Sequence, residues 1–367
     1  MNLIYLTSKR YPSVTADHFF VKSMAFVFAK ILGQNFSLFI SGSIPNELDG
    51  INTISVNAPK KFRLFFYFFW LPFFISKKNH NNKETVFFSN DSYLLPILIF
   101  WKKLFNFKYI VCSDWHQLFG DWRDKYISKN SDFLISTSEN LKKLIIKLSD
   151  VSEDKIIVSY GGVDLNKFEK ITESKEFLRK KLNLPQSDFL VGYVGFYKTM
   201  GMGKGIDTML SALTLIPDKT VKMVFVGGRD GEVEEYRRLA GALGVLDRSI
   251  FIPAVSGDSV PSFESMMDIL AIPYPNKPHF RDFGFPMKVY EYMASGRPII
   301  YSKLPIIDEV LSDCATSFNP DDPNDLALKI SGIYKNSENN SSQKTLDKVK
   351  NFTWQARAER IIRFIQS

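Results

Sequence analysis

The sequence has 367 residues, 45% of them apolar, and its 47 Lys and Arg outnumber 39 Asp and Glu for a formal net charge of +8. A single core stops growing near about 250–300 residues, so the length implies two domains of ordinary globular composition. Two distant cysteines, Cys112 and Cys314, supply neither a disulfide framework nor a metal-ligand spacing and fit a reducing cytosol.

The first apolar run, Leu3–Leu6, has no basic segment before it and is too short for a secretory leader, so it reads as a buried strand. A helix over Ala16–Leu32 and strands at Ser37–Ile40, Thr85–Phe88, Tyr109–Cys112, Phe133–Ser136 and Ile156–Ser159 follow, with a further helix at Ser138–Leu148. Strands alternating with helices imply a parallel, doubly wound sheet.

The charge is uneven. Residues 1–170 carry 22 basic against 15 acidic side chains (+7), and the remainder 25 against 24 (+1). The excess peaks over residues 59–108, with nine basic groups against two acids. Nucleic acid or an anionic membrane surface would match such a charge, and the aromatic content favours the membrane. Phe62–Ile75 is dense in aromatics and bracketed by Lys60, Lys61, Lys77 and Lys78, and Pro96–Phe105 repeats the theme with Lys102 and Lys103. Neither stretch reaches the about 20 apolar residues that span a bilayer. Two readings stand: helices facing the core, or a surface that dips into the lipid interface.

Around Tyr160–Pro185 the pattern breaks into polar sequence, which reads as the domain junction. A second alternating set begins after it. Strands are expected at Phe189–Gly195, Lys222–Val226, Ser249–Ile252, Ile269–Ile272 and Pro298–Tyr301, and helices at Gly205–Ile216, Glu232–Leu243, Ser262–Met267 and Met287–Ser295. The Ser- and Asn-rich stretch Lys335–Thr345 reads as a loop, and Phe352–Ile365 as an amphipathic helix. Two Rossmann-like domains in series result: 1–170, 171–350, and a final segment 351–367 that returns to the first.

Gly192-Tyr193-Val194-Gly195, followed by Gly201-Met202-Gly203-Lys204-Gly205, carries a strand into a glycine-rich loop with a lysine at a helix start. Such backbone lets N–H groups approach a phosphate, and Lys204 adds a point charge, although the spacing is not that of a Walker A loop. In Gly284-Phe285-Pro286-Met287-Lys288-Val289-Tyr290-Glu291, Lys288 and Glu291 stand three apart on one helix face. A carboxylate there suits the hydroxyls of a ribose, and the lysine a phosphate; an exposed ion pair is the bland alternative.

These stretches resemble the donor domain of glycosyltransferase family 4. Tyr160–Phe168 is similar to its junction motif, Phe225-Val226-Gly227-Gly228 to a strand end, Met267–Pro273 to a later strand, and Lys288–Pro298 to its "K-x-x-E-Y-M-A-x-G-x-P" variant. The resemblance implies a GT-B fold, two Rossmann-like doubly wound domains facing a central cleft. It also implies retaining transfer of a sugar from a nucleoside diphosphate sugar to a saccharide or lipid-linked acceptor; a nucleotide-sugar epimerase-like GT-B enzyme, or an inactive sugar-binding or membrane-scaffold relative, is the alternative. In that family a histidine after an N-terminal strand contacts the transferred sugar, and His116, in Ser113-Asp114-Trp115-His116, occupies the matching place. Lys204, with Lys198 or Lys288, would then stabilise the leaving diphosphate, Glu291 would hold the ribose, and Gly195, Gly203, Gly284 and Phe285 would line the donor site.

The chain departs from the family pattern in three places. The position eight before Glu291 is Phe283 rather than a second Glu, and neighbouring Asp282 is the candidate replacement. Phe196-Tyr197-Lys198 stands where the family has an arginine, and Tyr11–His18 replaces a Gly-Gly loop. No Asp-x-Asp motif ends a strand, so no metal or other cofactor is expected. The implied setting is cytoplasmic, peripheral on the inner face of the cell membrane, in surface polysaccharide assembly and without nucleic acid.

Overall fold

The computed structural model describes residues 1–11, 16–77, 84–336 and 343–367. The chain forms two compact units, Met1–Tyr160 with Trp354–Ser367, and Gly161–Thr353. The first boundary falls ten residues before the expected break at 170. The reason is local packing: Val163 N–H donates to Phe352 O at 2.9 Å, and a side chain at Gly161 would meet Tyr290 and Met287 at 2.8 and 3.0 Å.

The first unit is built on β1 (Asn2–Tyr11), β2 (Phe36–Gly42), β3 (Thr53–Val56), β4 (Thr85–Ser89), β5 (Ile110–Trp115), β6 (Phe133–Ser136) and β7 (Ile156–Val158). Their order is β3-β2-β1-β4-β5-β6-β7, with every pairing parallel. Strands buried on both faces read as unbroken apolar runs, as Leu3-Ile4-Tyr5-Leu6 does. Strand order reverses between β1 and β4, which opens a ligand crevice at their carboxyl ends.

The helix Trp354–Gln366 buries Trp354, Arg357, Ala358, Ile361, Ile362 and Ile365 in this unit. The spacing of three and four is one helical face. Arg357 is the unexpected member of that apolar stripe.

The helix Arg63–Lys77 divides its aromatics between two faces. Tyr67, Leu71, Phe74 and Ile75 are buried, whereas Phe62, Phe65, Phe69 and Phe73 are 56–71% exposed. The core-facing reading therefore holds for one face of the helix, and the other face is left exposed. Of the flanking lysines Lys61 is exposed, while Lys78 and the side chains of Lys60 and Lys77 lie outside the described residues. Lys102 and Lys103 do not join that surface as free charges: Lys102 pairs with Asp132 and Lys103 donates to Asn130.

The second unit carries β8 (Phe189–Val194), a small antiparallel hairpin of β9 (Lys198–Thr199) and β10 (Met202–Gly203), β11 (Val221–Gly228), β12 (Ser249–Pro253), β13 (Ile269–Ile272), β14 (Ile299–Ser302) and β15 (Thr316–Phe318). The main sheet runs β12-β11-β8-β13-β14-β15, parallel throughout. Its order reverses between β8 and β13. The crevice predicted at their carboxyl ends, beyond Val194 and Ile272, is where the two glycine-rich stretches converge.

Candidate functional site

Two lysines come together at the switch point of the second sheet. Lys288 opens the helix Lys288–Ala294 and is 7% exposed. Its Nζ donates to Val194 O at 2.8 Å and lies 3.8 Å from the Tyr193 ring centroid, with Tyr274 and Tyr292 each at 5.9 Å. Lys204 follows the hairpin, its backbone N–H bonded to Tyr197 O at 3.0 Å and its Nζ 5.9 Å from the same Tyr274 ring. Neither ammonium has a carboxylate in ion-pair contact among the described residues.

Glycines make this approach possible. A side chain at Gly195 (φ +132°) would come within 2.6 Å of Lys288 Nζ, and one at Gly205 (φ +84°) within 1.7 Å of Pro273 O. Only glycine adopts such backbone without strain and leaves that space. Gly203 lies on the hairpin over Tyr236, where an added carbon would meet the phenol at 3.2 Å.

Burial removes water from Lys288 and part of the water from half-buried Lys204, and a charge without water or a partner is costly. It pushes Lys204 down to about 8, with Glu232 opposing and Arg229 adding to the shift. Burial, reinforced by Lys204, holds Lys288 well below the usual lysine range against the pull of Glu291 and Glu264. Glu264, fully buried and with neither carboxyl oxygen bonded, is pushed well up by burial and by Glu291. Burial also raises Glu291, opposed by Lys288 and Lys167. Loss of a proton or the approach of an anion would each relieve this shortage of compensating charge.

The other expected residues divide. Gly284 sits against the π-helical turn His279–Phe283, with a would-be side chain 2.7 Å from His279 Nε2. Phe285 stacks on Tyr290 at 5.2 Å. Asp282 is bonded by Arg281 at 2.7 and 2.8 Å, and Lys198 by Glu235 at 2.5 and 2.8 Å. Both therefore enter any ligand site already engaged. His279 was not foreseen; burial and the nearby Lys204 lower its pKa. Glu264 was also missed, although an acid inside the apolar run Phe263–Met267 is a detectable signal.

In the first unit His116 follows β5. Its Nε2 lies 3.2 Å from Asp114 Oδ2, and its ring packs 4.3 Å from Phe20. Asp114 in turn accepts from Arg357 at 2.6 Å. Burial opposes ionisation of Asp114, but Arg357 and His116 together hold its carboxyl below the ordinary range. The loop around Pro12–Thr15 and His80 lie outside the described residues. Among those described, no group of three or more His, Cys, Asp or Glu is placed to hold a metal ion.

The family model described as Glycosyl transferases group 1 matches residues 174–357, half of the chain, and the chain belongs to that family. It is 24% identical over 237 residues to D-inositol 3-phosphate glycosyltransferase of Mycolicibacterium gilvum, covering 63% of this chain and 51% of that protein. It is 29% identical over 226 residues to the O-antigen biosynthesis glycosyltransferase WclY of Escherichia coli, covering 61% and 55%. The chain thus spans about half the length of these curated relatives. The crystal structure of Anabaena HepE in complex with UDP superposes over 100% of both chains with a TM-score of 0.79 at 15% identity. With two parallel-sheet α/β units and this likeness, the fold is GT-B.

The lowered Lys204 has a consequence for stability. An unfolded lysine keeps its proton to about 10.4, the folded Lys204 only to about 8. Between those values the unfolded chain binds more protons, so this residue makes stability rise with pH across that window, and its penalty is fully present below it. Comparing urea midpoints of the wild type and Lys204→Met from pH 7 to 10 should show the variant gaining most at the acid end. A constant difference across the range contradicts the assignment.

Proposed function

We propose that the chain is a retaining glycosyltransferase of the family 4 type. It moves a sugar from a nucleoside diphosphate sugar to a saccharide or lipid-linked saccharide, without a metal ion, in surface polysaccharide assembly. The observation that carries this reading is the convergence of Lys204 and Lys288, both desolvated and without ion-pair partners, at the carboxyl edge of the second sheet. Fixed positive groups in a site shielded from water stabilise charge that grows on a leaving diphosphate. UDP in the Anabaena HepE complex supports a uridine nucleotide as donor, and the O-antigen role of the Escherichia coli relative supports the pathway.

Each side chain then has a task. Lys288 and Lys204 take the diphosphate, and the glycine backbone at Gly195 and Gly203 lets it approach. Glu291, half-buried on the same helix as Lys288, accepts from the ribose hydroxyls. Gly284 and Phe285 border the donor, with Asp282 and Lys198 drawn in only if they leave their present partners. His116 orients the sugar and its acceptor. Titration calorimetry with UDP tests the nucleotide part. Glu291→Ala should weaken binding by about 1.5–3 kcal/mol, the range for a hydrogen bond to a charged group. An unchanged dissociation constant in a folded variant removes Glu291 from the site.

The acceptor side has its own support. Among the described residues no helix is long and apolar enough to cross a membrane. Yet Phe65, Phe69 and Phe73 form an exposed stripe at four-residue spacing, with Phe62 and Lys61 at its start. An apolar groove of about 480 Å³ lined by Pro59, Phe62, Phe65, Phe66, Phe69, Trp70 and Phe73 runs along it. This face sits on the cytoplasmic leaflet, where lipid-linked acceptors are anchored. A buried phenylalanine contributes about 1.5–3 kcal/mol and is insensitive to salt, whereas the lysine attraction is screened. Wild type should therefore sediment with anionic vesicles, weaken without detaching as salt rises, and lose the salt-resistant part in the variant with Phe65, Phe69 and Phe73 all changed to Ser. Failure of the wild type to sediment at any salt contradicts the membrane placement.

A further inference from the structure

A buried relay links the C-terminal helix to His116. Arg357 and Asp114 form an ion pair at 2.6 Å with side chains 1% and 0% exposed. Arg357 also donates to Tyr160 O at 2.9 Å. The second carboxylate oxygen of Asp114 meets His116 Nε2 at 3.2 Å, and the histidine side chain, unlike the pair behind it, is 26% exposed. Phe20 fills the remaining side: its ring is 4.3 Å from His116, 5.1 Å from Trp354 and 5.1 Å from the Arg357 guanidinium carbon. The helix Trp354–Gln366 thus supports His116 twice, through Asp114 and through Phe20.

An ion pair alone does not explain this arrangement, because replacing a buried pair by apolar side chains is often neutral or stabilising. What the pair adds is direction. An ionised carboxylate is acceptor-only, and a guanidinium is donor-only. With Arg357 holding Asp114 in its anionic form, Nε2 of a neutral His116 has to carry the hydrogen. The other ring nitrogen, Nδ1, then has a free lone pair, and it has no hydrogen-bond partner among the described residues.

We propose that Asp114, anchored by Arg357, is a positioning residue that locks His116 in the Nε2–H tautomer and so presents Nδ1 as an acceptor for a hydroxyl of the carbohydrate substrate. The inference rests on the reading that His116 serves the sugar. Its chemical content is that the chain recognises a donor hydroxyl at this point, not a carbonyl or a phosphate, since an unprotonated imidazole nitrogen repels both. The same logic makes Asn at position 114 informative. Arg357 can only donate, so it takes the amide oxygen and turns the amide nitrogen toward His116. Nε2 then has to accept, and the hydrogen moves to Nδ1.

Nitrogen-15 NMR of the histidine-labelled protein at a pH where the ring is neutral reads the tautomer directly, with the His116 signals assigned by their loss in His116→Gln. The wild type should show a protonated Nε2 and an unprotonated Nδ1, and Asp114→Asn should show the reverse. On whichever nucleotide sugar the wild type turns over, Asp114→Asn should lower kcat about 10- to 100-fold, by analogy with the outer partners that orient metal-bound histidines. Its UDP dissociation constant should stay unchanged, a split that loss of folding would not produce. If Asp114→Asn alone does not fold, Asp114→Asn with Arg357→Met removes the orphaned guanidinium, and the wild-type spectrum still decides. A wild-type His116 protonated on Nδ1 overturns the proposal, as does an Asp114→Asn variant whose tautomer and kcat match the wild type. Because the spectra need no substrate, absence of any sugar transfer would count against the transferase reading and leave this one to be judged on its own.

Discussion

Two lysine amines, Lys288 buried and Lys204 half-buried, with no carboxylate in ion-pair contact among the described residues, are the constraint around which the second unit is organised. Lys288 is held by one carbonyl, Val194 O, and by the face of Tyr193. Neutral aromatic faces attract a cation without neutralising it. Tyr193, Tyr274 and Tyr292 remain neutral because burial raises all three phenols. A full carboxylate partner in place of these rings would stabilise the free protein and cancel the charge a ligand could use. The protein thus keeps a locally costly arrangement at one edge of the sheet. The extended apolar runs of β8, β11, β13 and β14 supply the stability that tolerates it.

Backbone geometry serves the same end. The strand β8 stops at Val194, and Gly195 turns with φ +132° so that nothing stands between its backbone and the lysine amine. Gly227, at the end of β11, packs within 2.7 Å of the Gly195 backbone for any added carbon, so the two strand ends lie close together. Gly205 then starts the helix Ile206–Leu215 from a left-handed conformation over Pro273. Three glycines on three neighbouring elements therefore define an open floor, while Lys204 and Lys288 provide its charge. The helix Lys288–Ala294 fixes Glu291 one turn from Lys288, so the two side chains share a rigid support.

Much of this was readable in the sequence, for a physical reason. Central parallel strands are buried on both faces, so Phe133–Ser136 and Ile269–Ile272 stood out as apolar runs with their bounds intact. Two of the four edge strands, Thr53–Val56 and Thr316–Phe318, did not, because they are short and partly exposed. The motif lysines and glycines were found by spacing, but their environment was not. The spacing put Lys288 and Glu291 on one helix face and left an exposed ion pair as the alternative; it did not show that packing turns the lysine inward to Val194 O and the tyrosines. Lys198 read as a free charge, yet Glu235, which is distant in sequence, reaches it. The importance of Arg357 and Glu264 lies in a charge placed on an apolar face, which becomes visible only once the partner elements are known. The aromatic helix was ambiguous because its composition is apolar all round, and only the neighbouring elements decide which face they cover.

The central claim is that fixed lysines, rather than a metal ion, carry the charge of the leaving diphosphate. It is tested most directly by the rate of sugar transfer from a nucleotide sugar, measured with the metal stripped by EDTA and again with magnesium or manganese restored. The account predicts the same rate in both conditions for the wild type, and a collapse in both for Lys288→Met. A wild-type rate that disappears on chelation and returns with the divalent ion would contradict it.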